Sequence, residues 1–138
     1  MKEFIDDARK ASIKFYDIEN SITEDNIDST IRKLKKLIKT DPTYLEPYLL
    51  LSELYEITGK KEKSDEIIQK AYDKAIQMIT DENGQWPDKL EWRWLENRHI
   101  IRTLMNRGIL YWQKNKTLEA YSLFQKLLET NLKNEWDW

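Results

Sequence analysis

The chain of 138 residues contains no cysteine, which excludes disulfides, thiol catalysis and thiolate metal sites. It has a single histidine, His99, so neither a histidine metal site nor a serine–histidine triad is expected. Only three glycines and three prolines are present, which disfavours long loops and favours helix. No run of residues approaches the ~18 consecutive apolar positions that a membrane-spanning helix needs. We therefore expect a helical protein without metal, cofactor or membrane segment.

The charge pattern also limits which classes of partner are expected. The formal net charge is -2 and the isoelectric point is about 5.6, so no overall field attracts nucleic acid or anionic lipid. Charged residues make up 35% of the chain and both signs are interspersed, as on solvated helix faces. The first residues lack the apolar core of a signal peptide. These features predict a single cytoplasmic domain.

Apolar residues recur at helical spacing over almost the whole chain and predict six helices. The first predicted helix has an apolar face of Phe4, Ala8, Ala11, Phe15 and Ile18. The others are predicted over about 27–40, 46–58, 61–79, a long segment ending near 114, and 117–131. Short connections between them predict three antiparallel hairpins.

One residue pattern occurs twice, 56 positions apart. The first copy is Tyr48, Leu51, Ser52, Tyr55, Gly59, Ser64, Ile68 and Ala71, and the second is Leu104, Arg107, Gly108, Tyr111, Asn115, Ala120, Phe124 and Leu127. Part of it also occurs 34 residues before the first copy, as Thr30, Leu34 and Leu37. A period near 34 is typical of helix–turn–helix repeats, whose apolar faces are buried by stacking.

At these positions the pattern resembles the tetratricopeptide repeat family, which combines small residues for close helix approach with large residues that fill the gaps. The resemblance implies an all-α solenoid of three stacked hairpins. We assign 1–40 to a degenerate or capping hairpin, 45–79 and 101–134 to repeats, and 135–138 to a tail. Because 56 exceeds one period by 22, residues 80–100 are assigned to an insertion, with the fourth helix overrunning and the fifth beginning early. Arg107 departs from the family pattern, since that position normally holds leucine.

A narrower likeness covers the segment Leu95-Glu96-Asn97-Arg98 with Arg102, Trp112, Glu119-Ala120 and Leu127. It is similar to bacterial proteins related to the suppressor of tumorigenicity seven family. That group has no well-defined chemistry, so this likeness implies no activity.

The resemblance implies protein or peptide binding on a concave face lined by the first helix of each hairpin. The implied lining comprises Glu46, Leu49, Glu53 and Glu56 on the third helix and Arg102, Met105, Ile109 and Trp112 on the fifth. A partner segment with basic and apolar residues would suit such a surface. The alternative is that Leu49, Met105 and Ile109 are simply buried between hairpins.

The insertion and the start of the fifth helix form a second candidate. Four of the six arginines lie within 93–107 and three of the six tryptophans within 86–94. Arginine and tryptophan are enriched at binding hot spots. We expect Arg98, Arg102, Trp92 and Trp94 to belong to a partner site, the alternative being that they cover the end of the core.

These observations predict a non-catalytic interaction module, an adaptor that binds a segment of a partner protein. No phosphate loop, nucleophile elbow or metal-ligand cluster favours an enzyme. Two alternatives remain open: a homodimer that uses the tryptophan-rich end, including Trp136 and Trp138, and nucleic-acid binding through residues 86–112, which the net charge opposes.

Overall fold

The structure, a computed structural model, describes residues 3–131. This part of the chain is all-α, as predicted from the sequence. The helices are α1 (Ala11–Asn20), α2 (Ile27–Thr40), α3 (Glu46–Ile57), α4 (Lys61–Ile79), α5 (Arg98–Gln113) and α6 (Thr117–Asn131). Two 3₁₀ turns, Glu24–Asn26 and Leu95–Asn97, precede α2 and α5. None of the helices within residues 3–131 has both the length and the apolar character needed to cross a bilayer.

The fold consists of two compact units. The first unit comprises Ala8–Lys74, and the second comprises the residues up to Asp7 together with those from Ala75 onward. Helix α4 supplies residues to both units. Residues 3–7 thus belong to the unit that is otherwise built from the second half of the chain. The boundaries of repeats and insertion that the sequence suggests stay predictions.

In the first unit, α1 and α2 form a hairpin that α3 closes. Phe15, Leu34 and Leu51 are almost completely buried, one from each helix. Tyr44 packs edge-on against Phe15, with ring centroids 6.0 Å apart. Helix α3 packs against both α2 and α1. The core of this unit thus forms where a third helix packs against a helical hairpin, and Ile67 of α4 also packs against it.

The two full copies of the sequence pattern end their first helices in the same way. Gly59 follows α3 with φ +77° and Asn115 follows α5 with φ +64°. The next amide in each copy donates back to a tyrosine carbonyl, Lys60 to Tyr55 at 2.7 Å and Lys116 to Tyr111 at 2.8 Å. This closing pattern needs a residue that tolerates left-handed backbone. The structure confirms that Asn115 takes the place of Gly59.

The small positions of the pattern lie where helices approach each other closely. In the first copy, the buried Ser52 and Ser64 hydroxyls share a hydrogen bond of 2.7 Å. In the second copy, Gly108 lies directly against the ring of Phe124. The family departure at Arg107 is accommodated because its guanidinium lies 4.4 Å from the centre of the Tyr111 ring.

Two sequence expectations need correction. The first helix begins at Ala11, so Phe4 and Ala8 are not helical. The Phe4 amide instead donates to the Lys89 carbonyl at 2.8 Å, a long-range pairing that no local periodicity reveals. Within the insertion, α4 ends at Ile79 and α5 begins at Arg98, so most of the insertion is irregular rather than helical extension.

Candidate interaction surfaces

Helix α5 presents a continuous stripe of exposed side chains to solvent. We define the α5 stripe as Arg102, Met105, Ile109 and Trp112, all of which are exposed. Their spacing of three and four residues puts them on one face of the helix. Trp112 is 62% exposed, which is unusual for a side chain that gains so much from burial. The residues predicted to line the fifth helix are therefore accessible and lie together.

Beside the α5 stripe, α5 and α6 enclose an apolar groove of about 690 Å³. We define the α5–α6 groove by its lining, which is Ile109, Trp112, Thr117, Tyr121, Phe124, Gln125 and Leu128. Tyr121 and Leu128 are 64% and 61% exposed. No ionisable group with a charge at neutral pH lines this groove. It suits an apolar surface from another helix better than a polar small molecule.

The α6 side of the groove was not predicted from the sequence. The signal was present in the spacing of Leu118, Tyr121, Gln125 and Leu128, which share one face of α6. The core-facing stripe of the same helix runs through Ala120 and Leu123, both buried. Helix α6 thus has two apolar faces, and only one of them is covered.

The arginine and tryptophan residues of the insertion contact one another. The guanidinium carbons of Arg98 and Arg102 lie 4.9 and 5.2 Å from the centre of the Trp92 ring. Arg98 Nε also donates to the Trp92 carbonyl oxygen at 2.8 Å. Cation–π contacts of this kind are typically worth about 0.5–1 kcal/mol at exposed sites. The ring of Trp92 is thus already engaged by its own chain.

Trp94 contacts the beginning of the chain. Its indole Nε1 donates to Glu3 Oε2 at 2.8 Å, while the Arg93 guanidinium lies 4.8 Å from the Trp94 ring centre. The indole hydrogen bond is the largest cause that lowers the pKa of Glu3. A side-chain hydrogen bond with Glu91 and the positive charges of Arg93 and Lys89 lower it further, whereas desolvation raises it. Trp94 therefore has a structural role in addition to the predicted role in a partner site.

A buried polar network joins the same two segments, and no sequence pattern indicates it. Asn97 is fully buried; its side-chain oxygen accepts from the Asp6 amide and its Nδ2 donates to the Phe4 carbonyl, both at 2.8 Å. His99 Nε2 lies 2.7 Å from Asp6 Oδ2, and both side chains are buried. Asn97 and His99 therefore hold the first residues of the chain against the start of α5.

On α3, the predicted lining residues separate into a buried and an exposed group. Leu49 is only 7% exposed, whereas Glu53 and Glu56 are exposed. Partial burial raises the pKa of Glu53, and the negative charges of Glu19, Glu46 and Glu56 add to this effect. Lys61 Nζ lies 3.6 Å from Glu56 Oε1. The accessible part of α3 is thus an acidic face.

Residues 3–131 contain no group of three or more potential metal ligands. Trp136 and Trp138 lie outside the described residues.

The fold and the repeated hairpins define a helical-repeat protein. The family model for the tetratricopeptide repeat matches the chain twice, over residues 45–77 and 101–134. The chain therefore carries two repeats of the tetratricopeptide repeat family, which correspond to the α3–α4 and α5–α6 hairpins. No curated protein and no solved structure matches the chain. The likeness to relatives of the suppressor of tumorigenicity seven family stays a prediction.

Proposed function

We propose that this chain is a non-catalytic, cytoplasmic interaction module whose α5 stripe binds a segment of a partner protein. Tetratricopeptide repeats commonly mediate protein–protein interaction and are typically not enzymes. The observation that carries the proposal is the exposure of Met105, Ile109 and Trp112 on one helix face. Aligned large apolar side chains left in water mark interaction sites more often than scattered ones do.

The composition of the surface indicates the partner's chemistry. Apolar side chains of the partner would cover Met105 and Ile109, and Trp112 is the residue type most often found at binding hot spots. The alternative of nucleic-acid binding has less support, because Arg98 and Arg102 already lie on the ring of Trp92.

Site-specific photo-crosslinking tests this proposal. With a photoreactive residue at Met105, we expect an adduct with a host protein in cells of the native host. Arg102→Glu combined with Trp112→Ala should abolish the adduct while the circular dichroism spectrum stays unchanged, because both side chains are exposed.

The matched control carries the photoreactive residue at Lys70, an exposed position on α4, and should give no adduct with the same protein. If the adduct persists in the double variant with the fold intact, the α5 stripe is not the binding site.

A further inference from the structure

The α5–α6 groove has the form of a hairpin that lacks a covering helix. In the first unit, the equivalent surface of the α1–α2 hairpin is covered by α3, which packs against both helices. In the second unit, Trp112, Tyr121 and Leu128 remain exposed at the groove. The covering element in the first unit is a largely buried helix whose apolar side chains enter the core. The α5–α6 groove is thus shaped for one more helix of this type.

The charge around the groove indicates what kind of helix would bind there. Over α5 and α6 together, Arg98 to Asn131, the chain has six basic residues and two acidic ones. Lys116, which precedes the groove residue Thr117, is exposed. A helix that combines an exposed apolar face with acidic neighbours would therefore be attracted to it.

The chain itself carries such a helix. Ile13 and Tyr16 on α1 are 69% and 54% exposed, and Asp17 and Asn20 share their face. Within α1 the chain has one basic residue, Lys14, and two acidic ones, Asp17 and Glu19. Helix α1 buries Ala11 and Phe15 in its own core, so the opposite face is available to a second molecule. Apolar and charged features of α1 thus complement those of the α5–α6 groove.

We propose that two copies of this chain associate head to tail, with the exposed face of α1 from one copy seated in the α5–α6 groove of another. The inference builds on the proposed function, because the groove shares Ile109 and Trp112 with the α5 stripe. The contact is heterologous: each copy offers one α1 face and one groove, so the association continues to a closed ring or a filament.

Sedimentation velocity tests the proposal with three matched substitutions of exposed apolar residues. Ile13→Glu places a charge on the α1 face, Leu128→Glu places one in the groove, and Ile57→Glu is the control at a helix position that is 71% exposed and outside both surfaces. The wild-type chain and the Ile57→Glu variant should form species larger than a monomer as concentration rises. The other two variants should each stay monomeric, with unchanged circular dichroism.

Mixing the two monomeric variants gives the sharpest result. Ile13→Glu keeps an intact groove and Leu128→Glu keeps an intact α1 face, so a mixture should form a one-to-one dimer and nothing larger. A wild-type chain that stays monomeric up to about 1 mM, where even a contact of ~4 kcal/mol is half occupied, overturns the proposal. The proposal is also overturned if the Leu128→Glu variant is monomeric while the Ile13→Glu variant still associates. That combination indicates a symmetric dimer in which two grooves contact each other.

The two proposals fail separately. If the chain is monomeric but still crosslinks to a host protein through Met105, the proposed self-association is wrong and the proposed function stands. If the chain self-associates but crosslinks only to itself, the proposed α1 contact stands and the proposed binding of a different protein is wrong.

Discussion

At Gly108 the absence of a side chain allows α5 and α6 to approach each other. A Cβ placed there would lie 2.5 Å from Phe124 Cε1 and 2.8 Å from Cζ. Both separations are far inside van der Waals contact, so the ring would have to move. In the first repeat the same position is Ser52, which has room for a hydroxyl bonded to Ser64. One position of the pattern thus meets a different neighbour in each repeat.

We predict that Gly108→Ala lowers the free energy of unfolding by about 1–2 kcal/mol, as overpacked cores usually do. Two effects oppose each other here, because alanine also favours helix by ~1 kcal/mol over glycine. The clash should win, because two ring carbons of Phe124 would lie within 3 Å of the added Cβ and the packed ring would have to shift. Urea denaturation of the single variant measures the net effect.

The control for this substitution is the pair Gly108→Ala with Phe124→Leu, compared with Phe124→Leu alone. The smaller side chain should remove the clash and reveal the helix-favouring effect of alanine. A Gly108→Ala variant as stable as the wild type would show that the close approach at Phe124 is not limiting.

At the scale of single helices, local sequence signals were sufficient for most boundaries. Pro47 lies in the first turn of α3, where proline's missing N–H costs no helical hydrogen bond. Gly59 and Asn115 follow the ends of α3 and α5 with left-handed backbone. The beginning of the chain was predicted wrongly because Phe4 and Ala8 continue the helical spacing of α1. Phe4 instead forms hydrogen bonds with Lys89 and Asn97, which are more than eighty residues away. Such a partner leaves no periodic trace around Phe4.

The acidic face of α3 gives a pH-dependent prediction. Burial and neighbouring carboxylates raise the pKa of Glu53 above its usual value of 4.5. The protonated form is therefore favoured by folding, and stability falls as the pH rises through the raised pKa. Glu53→Gln should stabilise the protein at neutral pH by about 0.3 kcal/mol, the scale of a relieved like-charge pair on a helix.

Denaturant unfolding at neutral pH and at about pH 3, where Glu53 is protonated, measures this effect. The stabilisation by Glu53→Gln should disappear at the lower pH. Glu66→Gln on the exposed face of α4 is the control for the loss of one carboxylate. A gain from Glu53→Gln that is the same at both pH values would contradict the electrostatic cause.

At the scale of the whole molecule, the sequence indicated one side of the candidate surface and missed the other. The repeat predicted the exposed face of α5 as one of two alternatives, the other being burial of Met105 and Ile109 between hairpins. The α5–α6 groove needs the pairing of two helices, and its α6 residues Tyr121 and Leu128 have the same hydrophobicity as core residues. Hydrophobicity alone cannot tell Leu128 from the buried Leu123 on the same helix. Only the packed structure distinguishes the two faces.

The link between the first residues and the second unit leads to the final prediction. Asp6 is buried against His99, and its amide donates to Asn97, although more than ninety residues separate them. Asp6→Ala should cost about 1–3 kcal/mol, because it leaves the buried His99 ring without this partner. Hydrogen exchange should also accelerate in the first turn of α5.

Asp7→Ala, at the exposed neighbouring position, is the control and should change stability by no more than about 0.5 kcal/mol. Equal effects of the two substitutions would mean that the first residues do not hold the start of α5 in place.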